Sequence, residues 1–190
     1  MPRKTQAKEK VERAAIELFA ANGVDGTSIG EVAARAGVSQ GALYRHYPSK
    51  EDLARTLFAD AYRRIGGELA EICEREPGIA ARIGRMVAHF CALYDSDPAL
   101  FRFLLLTQHN FLPELDEAAN EPPSVIASAI SDAIDAGELA PIEAALGAAA
   151  IMGIVLQTAT FHLYGRITGP LVKRAATLAH AAVAAVRSLG

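Results

Sequence analysis

The sequence predicts an all-α protein. Apolar residues recur three and four positions apart along most of the chain, which is the spacing of one helix face, and no stretch alternates as a strand would. Hydrophobic residues make up 51% of the 190 residues, aromatic residues only 6%, and tryptophan is absent. We therefore expect an interior of alanine, leucine, isoleucine and valine, which is typical of helix bundles.

Prolines and glycines delimit the predicted helices, and no internal repeat or low-complexity tract interrupts them. The helix over residues 98–106 is apolar almost all round, which predicts that it is buried centrally. Residues 107–123, with three prolines and an acidic cluster, are predicted to be an irregular connector. The predicted helices cover about residues 5–21, 28–36, 39–47, 50–76, 79–95, 98–106, 125–136, 141–165 and 170–189.

The second predicted helix has a clear start. Ser28 and Glu31 have the spacing of a capping box, in which each side chain satisfies a free backbone N–H of the first turn, and Thr27 is the other candidate cap. Four apolar residues then form one stripe, which predicts a face packed against a core. These are Ile29, Val32, Ala33 and Ala36.

A glycine turn leads into the third helix. Gly37 follows the apolar stripe, where a helix end needs a residue that tolerates positive φ, and Ser39 is a natural N-cap. Leu43 and Tyr47, four apart, form the inward face. The residues left outward or sideways are Gln40, Gly41, Ala42, Tyr44, Arg45 and His46. Two short helices joined this way predict a helix-turn-helix, and hence sequence-specific DNA binding.

The outward residues suit contact with a DNA groove. Glutamine pairs bidentately with adenine and arginine with guanine, whereas small residues let the backbone approach base edges closely. Tyrosine and histidine hydrogen-bond phosphate oxygens. Lys50 falls in the first turn of the fourth helix, where a DNA phosphate would compensate its unfavourable position in the helix dipole. The alternative for Lys50 is a solvated surface lysine, and Arg45 stays open between base, phosphate and solvent.

The motif resembles the DNA-binding signature of the TetR family of bacterial transcriptional regulators. The resemblance covers about a quarter of the chain and implies a three-helix DNA-binding domain on an all-helical body that forms a two-fold dimer and encloses a pocket for a small inducer. It also implies that the third helix enters the major groove. The residues that carry it are Thr27, Ile29, Val32, Ala33, Ala36, Gly37, Val38, Ser39, Gly41, Leu43, Tyr44, His46, Tyr47, Ser49, Lys50 and Glu51.

We therefore predict a helix-turn-helix DNA-binding domain over residues 1–50 and a larger helical ligand-binding and dimerisation domain over residues 51–190. The formal net charge of −3 hides an asymmetry: residues 1–64 hold 11 basic and 8 acidic residues, and the remainder 8 and 14. The candidate DNA contacts lie in the basic part. They are Thr27, Ser28, Ser39, Gln40, Gly41, Ala42, Tyr44, Arg45, His46 and Lys50.

The extreme N-terminus is basic and leaves two readings open. As a flexible arm or first helix it would reach phosphates or a minor groove, and otherwise it is a solubilising tail. No apolar stretch follows it, so a secretory signal is not expected. Cys73 and Cys91 lack a second ligand at metal spacing, which predicts two buried, reduced thiols in a cytoplasm rather than a disulfide or redox pair. For a DNA-binding regulator the expected location is the bacterial cytoplasm, in association with the nucleoid.

Residues 144–165 contain no formal charge and are long enough to cross a membrane as a helix. Polar residues interrupt the stretch, and small residues such as Gly147 and Gly153 would let another helix approach closely. We favour a four-helix homodimer interface made by the last two helices of each subunit. The alternative is that both helices pack only inside the monomer.

Aromatic residues with a few polar groups in the body suggest a site for a small, largely apolar ligand, although each alone is compatible with plain core. The candidate lining residues are Phe58, Tyr62, Phe90, Tyr94, Phe101, Leu104, Gln108, His109, Phe111, Gln157, Phe161 and His162. The histidines are scattered, and no nucleophile elbow, phosphate loop or Glu-x-x-His repeat occurs. We predict no enzymatic activity, no metal and no cofactor.

The leading hypothesis is thus a dimeric regulator, most simply a repressor, that binds a pseudo-palindromic operator in double-stranded DNA and is released by a small effector. The alternative is an all-helical ligand-binding or protein-interaction module that has lost DNA binding. A helical enzyme is the more distant third hypothesis.

Overall fold

The computed structural model describes residues 3–114 and 121–190, which are helical with no strand among them. The predicted acidic cluster of the connector lies outside the described side chains. The helices are α1 (Arg3–Asn22), α2 (Ile29–Ala36), α3 (Gln40–Tyr44), α4 (Lys50–Arg75), α5 (Ile79–Ser96), α6 (Pro98–Phe111), α7 (Pro122–Asp135), α8 (Ala144–Leu163) and α9 (Ala175–Ser188). Short 3-10 turns, Leu112–Glu114 and Leu171–Arg174, follow α6 and precede α9.

The chain forms two compact units. Among the described residues, the N-terminal unit comprises residues 3–61 together with residues 98–114, and the C-terminal unit comprises residues 62–97 and 121–190. The helix α6 therefore belongs to the N-terminal unit although 36 residues separate it from the rest of that unit, from residue 62 to residue 97. This division by packing differs from the division at residue 50, which concerns function and stays a prediction.

In the N-terminal unit, α1 packs against both α2 and α6, and α2 packs against α3. The rings of Phe19 on α1 and Phe103 on α6 stack with centroids 5.9 Å apart, and both side chains are fully buried. Phe58 and Phe111 form a second ring pair at 5.7 Å. These aromatic contacts join segments that are far apart in sequence into one apolar core.

In the C-terminal unit, α5 packs against α7, α8 and α9, and α8 also packs against α7 and α9. Two carboxylates fix the starts of helical segments. Asp95 accepts hydrogen bonds from the backbone N–H groups of Leu171 and Val172 at 3.0 and 2.8 Å. Glu138 accepts one from the N–H of Ile79 at 2.8 Å. Both supply the acceptors that the first N–H groups of a helix lack.

Several helix boundaries differ from the prediction. The helix α6 continues to Phe111, so the connector begins later than residue 107, and α8 begins at Ala144 rather than near Pro141. The last helix starts as a 3-10 turn. The prediction that α6 is buried centrally holds only in part, because Phe101, Phe103 and Leu104 are buried whereas Leu106 is 46% exposed.

The helix α8 is long and apolar enough to cross a membrane by length and composition, yet only 28% of its most apolar window is buried within the chain. Its outward face carries a stripe of exposed residues at helical spacing, which we call the α8 stripe. The α8 stripe consists of Leu146, Ala149, Gly153, Gln157, Phe161 and, just beyond the helix, Tyr164.

Candidate nucleic-acid interface

The start of α2 is a complete capping box, as predicted. The Oγ atom of Ser28 accepts a hydrogen bond from the N–H of Glu31 at 3.2 Å, and the Glu31 carboxylate accepts from the N–H of Ser28 at 2.7 Å. Because the backbone and hydroxyl of Ser28 donate to this carboxylate, the pKa of Glu31 is lowered from its ordinary value. The first turn of α2 is therefore held by its own side chains.

Thr27, the other candidate cap, has a different role. Its side chain is buried, and its hydroxyl donates to the backbone carbonyl of Gly23 at 2.8 Å. Thr27 thus ties the start of α2 to the turn that ends α1. The prediction that Thr27 contacts DNA is not tested by this geometry.

The turn between α2 and α3 follows the sequence pattern. Gly37 has φ of 70° and ψ of 34°, the left-handed conformation that ends many helices, and its N–H reaches the carbonyls of Ala33 and Ala34. Ser39 then caps α3, since its Oγ atom accepts from the N–H of Ala42 at 3.2 Å. The turn fixes how α3 departs from α2.

The helix α3 is shorter than predicted, because it ends at Tyr44 rather than close to Pro48. The N–H groups of His46 and Tyr47 both donate to the carbonyl of Leu43, which closes the helix. Proline at position 48 disfavours the helical conformation for Tyr47. Arg45 and His46 therefore lie on a turn and not on a continuing helix.

The polar residues of α3 and its following turn are exposed, whereas Leu43 is buried and Tyr47 is half-buried. Burial raises the pKa of Tyr47 above its ordinary value, so its hydroxyl stays protonated at neutral pH. Ala42 is half-buried. The exposed members of the set are Ser39, Gln40, Gly41, Tyr44, Arg45 and His46.

Lys50 lies at the start of α4, and its ammonium donates to the backbone carbonyl of Asp25 at 2.9 Å. Its side chain is 25% exposed, with Glu51 at 3.9 Å. The sequence did not reveal this tie between α4 and the turn after α1. An ammonium has three donors, so a further donor remains for a phosphate oxygen.

Two basic residues in this unit share one carboxylate. Glu17 on α1 accepts from Arg13 at 2.7 Å and from Arg35 on α2 at 2.6 Å. Hydrogen bonds from these two guanidinium groups lower the pKa of Glu17. The excess of basic charge near the N-terminus is thus partly neutralised within the unit.

The predicted ligand-pocket residues divide between the two units. In the N-terminal unit Phe58, Phe101, Leu104 and Phe111 are buried, Gln108 is half-buried and His109 is exposed. In the C-terminal unit Tyr62 and Tyr94 are buried, Phe90 and His162 are half-buried, and Gln157 and Phe161 are exposed.

Some of these residues contact one another. Besides the Phe58–Phe111 ring pair, the hydroxyl of Tyr94 lies 3.0 Å from Nδ1 of His162, whose Nε2 lies 3.0 Å from the carbonyl oxygen of Gly169. Burial raises the pKa of Tyr62 to about 12. A common pocket for the predicted set stays a prediction. Across residues 3–114 and 121–190, no group of three or more His, Cys, Asp or Glu side chains is placed to hold a metal ion.

Two capped helices joined by a glycine turn, with an exposed polar face on the second, define this chain as a helix-turn-helix protein. Residues 13–57 match the family model described as bacterial regulatory proteins, tetR family. Residues 13–57 thus carry the DNA-binding segment typical of TetR-family regulators, as the sequence motif predicted.

Curated relatives carry regulatory names. The chain is 36% identical over 83 residues to the HTH-type transcriptional regulator AcrR of Shigella flexneri, a match that covers 41% of this chain and 39% of that protein. A Bacillus subtilis fatty acid metabolism regulator protein is 25% identical over 154 residues, which cover 77% of this chain and 78% of that protein. The chain thus spans only part of the first of these relatives.

Solved structures share the fold over nearly the whole chain. The transcriptional regulator FadR from Bacillus subtilis, in complex with stearoyl-CoA, superposes with a TM-score of 0.84 at 19% identity, over 93% of this chain and 97% of that one. FadR from Bacillus halodurans superposes with a TM-score of 0.83 at 15% identity, over 92% and 93%. At these identities the likeness shows the fold alone.

Proposed function

We propose that this regulator binds a pseudo-palindromic operator in double-stranded DNA as a homodimer, and that it acts as a repressor. The observation that carries the proposal is the exposed polar face of α3 on a motif whose own caps are complete. The Oγ atoms of Ser28 and Ser39 accept hydrogen bonds from backbone N–H groups. The side chains left to contact bases are therefore those of Gln40 and its neighbours. Such a helix presents side chains to a major groove without needing a partner to order it.

The α8 stripe supports dimerisation. Leu146, Phe161 and Tyr164 are large apolar or aromatic side chains that this chain leaves exposed, and Gly153 between them has open space where a Cβ would be. A contiguous exposed apolar face of this kind marks a surface that another protein covers. A second α8 packed there, with α9 beside it, would relate two chains, each with its own α3, by a two-fold axis.

The effector is a small, largely apolar molecule on this proposal. The structural neighbour from Bacillus subtilis was solved with stearoyl-CoA, whose acyl chain is of that class. Aromatic residues in each unit of this chain supply apolar surface with few polar groups. Ligand and DNA would then oppose each other by linkage, each weakening the affinity for the other by the same factor. The site of action is the bacterial chromosome in the cytoplasm.

The test is direct. The full chain is mixed with a library of duplexes, the bound ones are sequenced, and the affinity for the selected site is measured against salt concentration. We expect a site with two inverted half-sites about one helical turn apart or a multiple of it. The affinity should fall steeply with salt, at a log–log slope of roughly −0.9 for each phosphate neutralised. No enrichment at low salt would reject DNA recognition, and an enriched site without inverted symmetry would reject the dimer.

The effector is tested by thermal unfolding in the presence of acyl-CoA esters of increasing chain length. A ligand present at a hundred times its Kd stabilises the folded chain by about 2.7 kcal/mol. The same ligand should weaken binding to the selected duplex. Stabilisation without any effect on DNA affinity would favour a ligand-binding module that does not act on an operator.

A further inference from the structure

The side chain of Gln40 lies against the first turn of α2. Gly30 is the second residue of α2, and a Cβ atom added to it would lie only 2.6 Å from Nε2 of Gln40 and 3.5 Å from its Cδ. Nonbonded carbon contacts are favourable at about 3.5–4.0 Å, so 2.6 Å is a steric overlap. The position of the Gln40 carboxamide therefore requires a residue without a side chain at position 30.

The backbone does not require this glycine. Gly30 is not among the glycines with positive φ, which are Gly23, Gly37, Gly78, Gly137, Gly165 and Gly169. Glycine within a helix is less favourable than alanine, because it loses more conformational freedom on folding. At Gly30 the helix thus forgoes a better helix former, and what the glycine provides is space for Gln40.

We infer that Gly30 is a specificity-determining position of the DNA interface, which acts through Gln40 without itself reading a base. The inference rests on the proposed function and adds a positioning residue to it. Glutamine loses considerable rotamer freedom when it is fixed, so a side chain that already lies against α2 meets a base at lower entropic cost. A methyl group at position 30 would displace the carboxamide from this position.

The experiment compares four variants of the full chain: Gly30→Ala, Gln40→Ala, the double variant, and Gly84→Ala as a matched control. Gly84 lies in α5, where an added Cβ meets nothing within 4 Å. Base preference at each operator position is measured by selection from a randomised duplex library. In the free proteins, the side-chain amide resonances of Gln40 are recorded by NMR.

We expect Gln40→Ala to reduce the preference at one position of each half-site by roughly fivefold or more, the loss of a bidentate contact. Gly30→Ala should reduce the preference at the same position by about threefold or more, and should shift the Gln40 amide resonances. In the Gln40→Ala background, Gly30→Ala should change no preference further. Gly84→Ala should match the wild type throughout.

Three outcomes would overturn the inference. Unchanged Gln40 resonances in Gly30→Ala would show that the methyl group displaces nothing. A uniform loss of affinity for all duplexes, with or without Gln40, would show that the methyl group meets the DNA backbone. An altered preference in Gln40→Ala alone would leave the proposed function standing and reject the role of Gly30. If the wild type selects no duplex, the proposed function and this inference both fail.

Discussion

The helix-turn-helix and the α8 stripe differ in whether the chain itself satisfies their exposed groups. The motif pairs the free backbone N–H groups of its helix ends with its own side chains, whereas the α8 stripe leaves apolar side chains in contact with water. In the motif, Ser28, Glu31 and Ser39 satisfy the helix ends from within a few residues. In the α8 stripe, Leu146 and Tyr164 remain 51% and 67% exposed. The first region is complete in one chain, and the second gains stability only when something covers it.

The difference shows which contributions to stability depend on association with another chain and which do not. Caps act between residues three apart, so their effect is the same in a free or an assembled chain. An apolar face has no fixed partner in its own sequence, so its effect depends on concentration and association. Variants in the two regions should therefore fail in different assays.

The largest effect is expected from charging the α8 stripe. Leu146→Asp buries a carboxylate in the proposed interface and should produce a monomer. The affinity of two linked DNA-binding domains exceeds that of one by roughly 10² to 10⁴. The affinity of the monomer for the two-half-site operator should therefore fall about a hundredfold or more. Light scattering and duplex titration measure the two quantities.

Leu106→Asp is the matched control, because Leu106 on α6 is a similarly exposed leucine at 46%. This variant should remain a dimer and keep its DNA affinity. If Leu146→Asp also stays dimeric at the same concentration, the α8 stripe is not the interface.

The next largest effect distinguishes base contacts from phosphate contacts within the motif. Gln40→Ala should cost roughly 1 to 3 kcal/mol at one base position. Lys50→Ala should weaken all duplexes about equally and reduce the salt slope by about 1. Titrations of matched and single-base-changed duplexes at several salt concentrations distinguish the two. The division of labour is refuted if both variants act alike on every sequence.

Arg75→Ala offers a control for general charge. Arg75 is an exposed cation near the end of α4, paired with Glu71 at 2.8 Å. Its removal should leave the salt slope as in the wild type.

A smaller effect is expected from the cap of α2. Ser28→Ala should lower the free energy of unfolding by roughly 0.5 to 2 kcal/mol, because the N–H of Glu31 loses its acceptor. Ser131→Ala on α7 replaces an exposed serine inside a helix and should change stability by less than about 0.5 kcal/mol. Urea unfolding of both variants checks this, and equal values would mean that the capping box contributes nothing measurable.

The smallest effect concerns acid. The lowered pKa of Glu17 means that its ionised form stabilises the fold above the ordinary pKa of 4.5, and that this contribution is lost as the pH falls through the folded pKa. Glu17→Gln should remove roughly 0.2 to 1 kcal/mol near pH 7 and less below pH 4. Thermal unfolding across this pH range measures it.

Glu71→Gln on α4 is the control for a surface pair within one helix, whereas Glu17 joins α1 to α2. A Glu17→Gln variant whose melting temperature tracks the wild type at every pH would show that this pair carries no stability.

Most of the fold could be predicted because its signals are local. The Ser28–Glu31 spacing, the turn at Gly37 and the periodic apolar residues each act within one helix length. The exposure of Leu106 could not be predicted, because it depends on which segments α6 packs against. Helical periodicity predicts that α1 and α6 each have a buried face, but it does not predict that Phe19 pairs with Phe103.

The candidate site was predicted by residue type and not by contact. Gln40 and Lys50 could be chosen for their chemistry, but the tie from Lys50 to the Asp25 carbonyl and the space that Gly30 leaves for Gln40 arise from folding. The one available signal was a glycine at the second position of a helix, where a better helix former is usual.

The placement of α6 also limits how this protein can be cut or recombined. If residues 1–61 alone were joined to another protein, Phe19 would lose Phe103 and Phe58 would lose Phe111. Hydrophobic surface that the intact chain buries would then be exposed. A chimaera designed to exchange DNA specificity must therefore carry residues 98–114 together with residues 1–61, or must exchange α3 alone. Interchangeable parts in this protein are defined by packing and not by position along the chain.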